Sequence, residues 1–148
     1  GTDALARSLT ELVRSARDWV RAVVVVSGHG GNAEALERVA QISSGEGDRV
    51  VVYAPMLRGA DAHAGRTETS LVLALAPELV RHNEAVVGVT TPLCELVGTL
   101  RDHGVAAVSP SGVLGDPTGA SAEEGRALLE TLGADLCARV DAALGDVR

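Results

Sequence analysis

The stretch Ala22-Val23-Val24-Val25-Val26-Ser27-Gly28-His29-Gly30-Gly31-Asn32 decides how this chain folds. Ala22–Val26 is a continuous, mostly β-branched run, the composition of a short strand covered on both faces. Ser27–Gly31 is a Gly-rich turn in which the backbone can bend sharply. Asn32 then stands where a helix cap belongs, ahead of apolar positions that recur at helical spacing to about Ile42. Strand, tight turn and helix in that order form the first half of a parallel βαβ unit.

Working outward, Asp3 to about Trp19 reads as an amphipathic helix with Leu5, Leu9, Leu12, Val13 and Ala16 on one side, capped by Thr2. Arg49–Ala54 is a second strand, Pro55–Arg66 a loop, and Thr67–Leu75 a helix that can extend to about Arg81. Val86–Val89 is apolar without a decisive period. Pro92–Asp102 reads as helix, ended by His103-Gly104, and Val105–Val108 as a third short strand. Pro110–Ala120 is a Gly/Pro-rich loop. Ser121-Ala122-Glu123-Glu124 has the form of a capping box, opening a last helix with Leu128, Leu129, Leu132, Leu136, Val140 and Leu144 toward a core. The alternation predicts an α/β fold, three layers with a mainly parallel sheet, as a single domain over residues 1–148. The chain opens on a helix cap without a Met or a leading strand, as expected of the C-terminal part of a longer protein.

Composition narrows the function classes. Net charge is −7, and Trp19 and Tyr53 are the only aromatic residues, so a basic, aromatic nucleic-acid surface is absent from the sequence. No apolar run approaches a membrane span and no signal peptide is evident, which points to a cytoplasmic protein. Cys94 and Cys137 read as buried free thiols without a role.

Two turns concentrate the chemistry. In Ser27–Asn32, glycines flank His29 at the carboxyl end of a strand, where α/β proteins place ligand-binding groups. His29 can be a ligand or catalytic group, or the turn can be a phosphate cradle or simply structural. The spacing matches neither G-x-G-x-x-G nor a Walker loop, and there is no Lys. The second turn is Asp61-Ala62-His63-Ala64-Gly65-Arg66-Thr67-Glu68-Thr69-Ser70. Glu68 falls in the first turn of the following helix, where the dipole favours a carboxylate. It is either a functional carboxylate or part of a cap, and Asp61 either a ligand or a local cap. His63 has no evident capping use. Imidazole with carboxylate suits zinc, manganese or ferrous iron, whereas paired cysteines for a thiolate site are missing. His82, Asn83, Glu84 and His103 read as solvated groups at helix ends.

Ser27–Asn32 resembles the Asn-Gly-His-Gly-Gly-Asn segment of the creatininase family, and Asp61–Ser70 resembles that family's second signature, Asp-x-His-Ala-Gly-x-x-Glu-Thr-Ser. Gly112-Val113-Leu114-Gly115-Asp116-Pro117-Thr118-Gly119-Ala120, followed by Glu123-Glu124-Gly125, is most similar to the mycofactocin-system branch of the family. The resemblance covers essentially the whole chain. It implies a hydrolase of amide bonds that uses two adjacent divalent ions, zinc, iron or manganese. His29 is implied as one ligand. Glu68 is implied as another, because this branch has Gly31 where creatininase carries a liganding Glu. His63 is implied beside the reacting carbonyl. Asp61, Gly30, Gly31 and Asn32 are implied as substrate-binding or supporting positions. The metal would polarise the carbonyl and acidify a bound water. In the mycofactocin branch the reaction removes a C-terminal Val-Tyr-derived dipeptide from a modified precursor peptide, and a homo-oligomer acting on a peptide or small molecule is expected.

The departures from the pattern matter equally. The family's other ligands lie in a segment of the form Glu-x-His-Gly-x-His-Leu-Pro-Leu with a following Asp, none of which occurs in this sequence. Ser27 stands where Asn is usual, which implies a weaker supporting hydrogen bond. The chain is therefore expected to hold about half of a two-metal site, with weak metal binding and an exposed sheet edge. Three alternatives remain open: a creatinine- or formamide-type amidohydrolase, a non-catalytic phosphate- or nucleotide-binding module, and an inactive fragment.

Overall fold

The computed structural model describes residues 1–55, 57 and 59–145, so the part of the predicted Pro55–Arg66 loop at Met56 and Arg58 lies outside the described residues. Its main elements are α1 (Thr2–Ala16), β1 (Val23–Val26), α2 (Ala33–Gly45), β2 (Val50–Tyr53), α3 (Arg66–Leu75), α4 (Leu93–His103) and α5 (Ala122–Leu144). The chain divides into two compact units, one formed by Gly1–Met56 with Gly133–Arg148, the other by Leu57–Leu132. No helix among the described residues is long and apolar enough to cross a membrane.

In the first unit β1 and β2 pair in parallel, with Val23 opposite Val50 and Val26 opposite Tyr53. This is the predicted βαβ unit. Ala6, Val13, Ala35 and Val39 form the buried contact between α1 and α2, and Leu5, Leu9, Val23 and Val50 close around it. Small residues at 6 and 35 let the helices approach closely. Leu12 lies off this stripe and is 53% exposed, whereas Thr10 is buried and returns its hydroxyl to the Ala6 carbonyl at 2.8 Å. On the other face of the sheet Val51 and Tyr53 are buried, and the Arg139 guanidinium of α5 lies 5.4 Å from the Tyr53 ring centre. Val24 and Val26 of β1 stay exposed.

An ionic clamp ties α1 to the turn after α2. Glu46 accepts from Arg14 Nε at 3.0 and 3.1 Å and from Arg17 Nη2 at 2.6 Å, and Arg17 Nη2 also reaches Asp48 Oδ2 at 2.6 Å. Hydrogen bonds from Arg14 and then Arg17 pull the Glu46 carboxyl down to about 2.

The second unit is held by helices and close backbone approaches. His63 and Leu114 form an isolated antiparallel bridge. Gly88 N–H donates to the Gly115 carbonyl at 2.9 Å and Val89 N–H to the Val113 carbonyl at 3.1 Å. The Val113–Gly115 backbone thus bonds to the 62–63 and 88–89 segments, which gives the apolar Val86–Val89 run a place.

Several expectations are corrected. Thr2 is the first helical residue and Gly1 the cap position, with Leu5 N–H bonded to the Gly1 carbonyl at 3.1 Å. The expected third strand, Val105–Val108, is a 3₁₀ turn over Val105–Ala107. Its amides are satisfied locally, since Val108 and Ser109 N–H both bond to the Val105 carbonyl, at 3.0 and 2.8 Å. With its polar groups used nearby, the segment has no need of a sheet partner. α3 stops at Leu75 instead of running toward Arg81, because Pro77 cannot continue the helix. Cys94 and Cys137 are free, as expected, but exposed instead of buried. The apolar positions of the last helix hold: Leu128, Leu129, Leu132, Leu136, Val140 and Leu144 are all half-buried.

Candidate active site

In the first unit Ser27 continues the sheet ladder by one bond, its N–H donating to the Tyr53 carbonyl at 2.9 Å. Its buried hydroxyl accepts from Asn32 Nδ2 at 3.2 Å and from the His29 N–H at 3.4 Å, and donates to the His29 carbonyl at 3.3 Å. Asn32 therefore braces the turn and does not cap α2 with its side chain. His29 has an extended backbone (φ −126°, ψ 120°) and is exposed. Its ring lies over Gly31, where an added Cβ would come within 2.5 Å of His29 Nε2. Gly31 is thus the space the imidazole uses. Gly30, also exposed, begins the 3₁₀ turn that leads into α2.

In the second unit the structure brings Asp61, His63 and Glu68 together around the start of α3. Leu114 N–H donates to the His63 carbonyl at 2.8 Å, and His63 N–H donates to the Leu114 carbonyl at 3.2 Å. Ala64 follows with φ 51°, the one non-glycine residue in the left-handed region among the described residues. Such a conformation is costly for a residue with a Cβ and persists where the surroundings enforce it. Here it aims the Ala64 N–H at Glu68 Oε2, 2.6 Å away. The same oxygen lies 3.6 Å from His63 Nδ1, within ion-pair reach but beyond a hydrogen bond. Both side chains are about half exposed.

Asp61 accepts the Thr67 N–H at 3.0 Å and also the Arg66 N–H, two of the free donors at the start of α3. Burial by itself would push the Asp61 carboxyl up. The N–H groups of Thr67 and Arg66 overcome this and hold it below the ordinary aspartate range. Past Ala64 and Glu68 runs a groove of about 610 Å³, with Val72, Val86, Val113 and Pro117 among its walls.

Glu124, read from sequence only as half of a capping box, gathers a third group. Glu124 accepts from Arg66 Nε at 2.8 and 2.9 Å and from the Ser70 hydroxyl at 2.8 Å. Ser121 N–H donates to Ser70 Oγ at 3.0 Å, and Glu124 N–H donates to Ser121 Oγ at 3.1 Å. The expected capping box is therefore only half made. Ser121 caps as predicted, but the fully buried Ser70 takes the amide that Glu124 would have reached. Arg66 and Ser70 hold the Glu124 carboxyl below its ordinary range. The available signal was that the second motif ends in Ser70, a polar residue at a helical position with no solvent-facing use.

His82 and His103 are exposed at the ends of short helical segments, as expected. Among the described residues of either unit, no group of three or more His, Cys, Asp or Glu side chains could hold a metal ion. Within each unit the described residues do not by themselves fit a metal centre.

The family profile for creatininase, described as creatinine amidohydrolase, matches residues 1–140. The chain belongs to the creatininase family. It is 46% identical over 140 residues to the mycofactocin precursor peptide peptidase of Mycobacterium ulcerans (strain Agy99). It is 48% identical over 125 residues to the protein of the same name from Mycolicibacterium smegmatis (strain ATCC 700084 / mc(2)155). These matches cover 95% and 84% of this chain but 56% and 51% of the relatives, so the chain spans about half the length of the curated relatives it matches. Among solved structures, a putative creatinine amidohydrolase from Bacteroides fragilis NCTC 9343 superposes with a TM-score of 0.72 at 22% identity, covering 97% of this chain and 62% of that one. A creatinine amidohydrolase (creatininase) gives 0.70 at 23% identity, with 95% and 63% covered. This likeness is one of fold, and it bears out the α/β class and the creatininase-like architecture.

Proposed function

We propose that this creatininase-family chain is part of a metal-dependent peptidase that cleaves an amide bond of the mycofactocin precursor peptide, releasing a C-terminal Val-Tyr-derived dipeptide. The observation that carries the reading is the junction of two motifs: Leu114, inside the Gly112–Ala120 run, binds both backbone polar groups of His63. The relatives of 46–48% identity that carry the peptidase name support it.

His63 presents an exposed ring whose Nδ1 faces Glu68. A proton on Nδ1 beside that carboxylate makes Nε2 the basic nitrogen of the neutral imidazole. Nε2 takes a proton from the attacking water and delivers it to the amide nitrogen as the C–N bond breaks. The apolar walls of the adjoining groove suit hydrophobic side chains of a peptide. His29 in the first unit and Glu68 in the second would each serve as a donor to a divalent ion, which would polarise the amide carbonyl, with further donors supplied from beyond these residues. A homo-oligomer in the cytoplasm belongs to the same proposal.

The test incubates the protein with a peptide ending in Val-Tyr and, separately, with creatinine, and follows both by mass spectrometry. Release of the dipeptide is expected, with a loss of roughly 10²–10⁴-fold in His63→Ala. Conversion of creatinine alone would move the assignment to a creatinine-type amidohydrolase. Full metal content and activity in His29→Ala would sink it.

A further inference from the structure

The Glu124 carboxylate is distant in sequence from both motifs, yet it is bound by two side chains of α3. Arg66 and Ser70 are one helical turn apart and both reach it, while Glu68 stands between them in sequence and half a turn round the helix. One face of α3 is therefore clamped while the opposite face presents Glu68 to Ala64 and His63. The clamp closes on itself: Glu124 N–H to Ser121 Oγ, Ser121 N–H to Ser70 Oγ, and the Ser70 hydroxyl to Glu124 Oε2. Ser70 is fully buried at its centre. Behind it Gly125 lies so near the Ser70 carbonyl that a Cβ there would overlap it, leaving α3 no room to shift toward α5.

We propose that Glu124 is a positioning residue for the site: by gripping Arg66 and Ser70 it fixes the first turns of α3 and so holds Glu68 against His63. The inference rests on the proposed role of the His63–Glu68 pair. The Glu124 carboxylate bonds to Arg66 and Ser70 and acts on His63 and Glu68 only through α3.

The experiment reads the ring of His63 directly, using long-range ¹⁵N–¹H correlation spectra of the four histidines of the chain, with His63→Ala for assignment. The parent chain is expected to carry the His63 proton on Nδ1. Glu124→Ala is expected to shift that ring to a mixed or Nε2–H signature, and Glu124→Gln, whose amide oxygen still accepts from Ser70 and Arg66, to restore it. Ser70→Ala, a smaller change, is expected to act in the same direction if Glu124→Ala does not fold. In the peptide assay Glu124→Ala is expected to lower kcat about tenfold to a hundredfold, with KM changed less than about twofold. An unchanged His63 signature in Glu124→Ala and Ser70→Ala, with only a lower melting temperature, overturns the role of Glu124 and leaves the proposed function standing. A parent chain with its His63 proton on Nε2 overturns both. Absence of peptide cleavage by the full-length protein that contains this chain, with the His63 ring signature as expected, counts against the proposed function alone, because the ring signature needs no turnover.

Discussion

Gly115 packs its α-carbon against the side chain of Asp61, in a backbone conformation (φ 152°) that residues with a side chain rarely adopt. A Cβ at position 115 would overlap the Asp61 carboxylate that caps α3, so one glycine in the Gly112–Ala120 run guards the start of the helix carrying Glu68. Gly115→Ala combines overpacking with backbone strain and is expected to destabilise by about 2–4 kcal/mol. Denaturant titration checks this. A change within about 0.5 kcal/mol would overturn the close approach of Gly115 to Asp61.

Asp61 gives stability a sign with pH. Its folded carboxyl is depressed below the ordinary value of 3.8, so its contribution is complete above that value and is lost as pH falls through the lower folded one. Asp61→Ala is expected to cost about 0.5–2 kcal/mol near neutral pH, as for a lost cap. It should also flatten part of the acid limb of the stability curve. Only part is expected, because Glu46, Asp116 and Glu124 are depressed as well. An acid limb identical to that of the parent chain would refute the assignment.

Gly31 tests the opposite situation. A methyl group there meets the ring of an exposed His29, which can swing away, so Gly31→Ala is expected to change stability by less than about 0.5 kcal/mol. The ring must move, however. A displaced His29 imidazole signal in NMR spectra with an unchanged melting temperature is the expected pattern, and a large loss of stability is not.

Glu46 is an exposed clamp between α1 and the end of α2, and its effect should be small and electrostatic. Glu46→Gln is expected to lower the melting temperature slightly at low ionic strength and not measurably in high salt. In the parent chain this contribution is present above the ordinary value of 4.5 and lost as pH falls toward about 2. A melting-temperature difference that is independent of salt would show that packing, not charge, makes the contact.

The elements read best from sequence were those that depend on their own residues. Val23–Val26 and Val50–Val52 are β-branched and their strands pair in register, and Ala35, Leu36 and Val39 of α2 are buried and the leucines of α5 half-buried, as their spacing requires. Val105–Val108 has strand composition but lies beside Gly104, whose φ of 76° breaks the extended path, and its amides close a local turn instead. Composition cannot foresee that, because strand formation needs a partner that the sequence does not name. Leu12, expected on the apolar side of α1, is exposed, while Thr10 is buried, because a hydroxyl returned to the Ala6 carbonyl can be buried cheaply.

From its own residues the sequence determined the α/β class, the parallel pair, the two turns that expose His29 and His63, and the family resemblance. These follow from periodicity, β-branching, glycine placement and motif spacing, all local properties of the chain. Tertiary structure decided which distant neighbours those residues have: Ser70 inserted into the capping box of Ser121, Glu124 bound to Arg66, Leu114 holding His63, and Gly115 against Asp61. Donors and acceptors brought together across 50 or more residues pair according to geometry in the folded state, so the Ser70–Glu124 bond, with |i−j| of 54, could not be read from either motif alone.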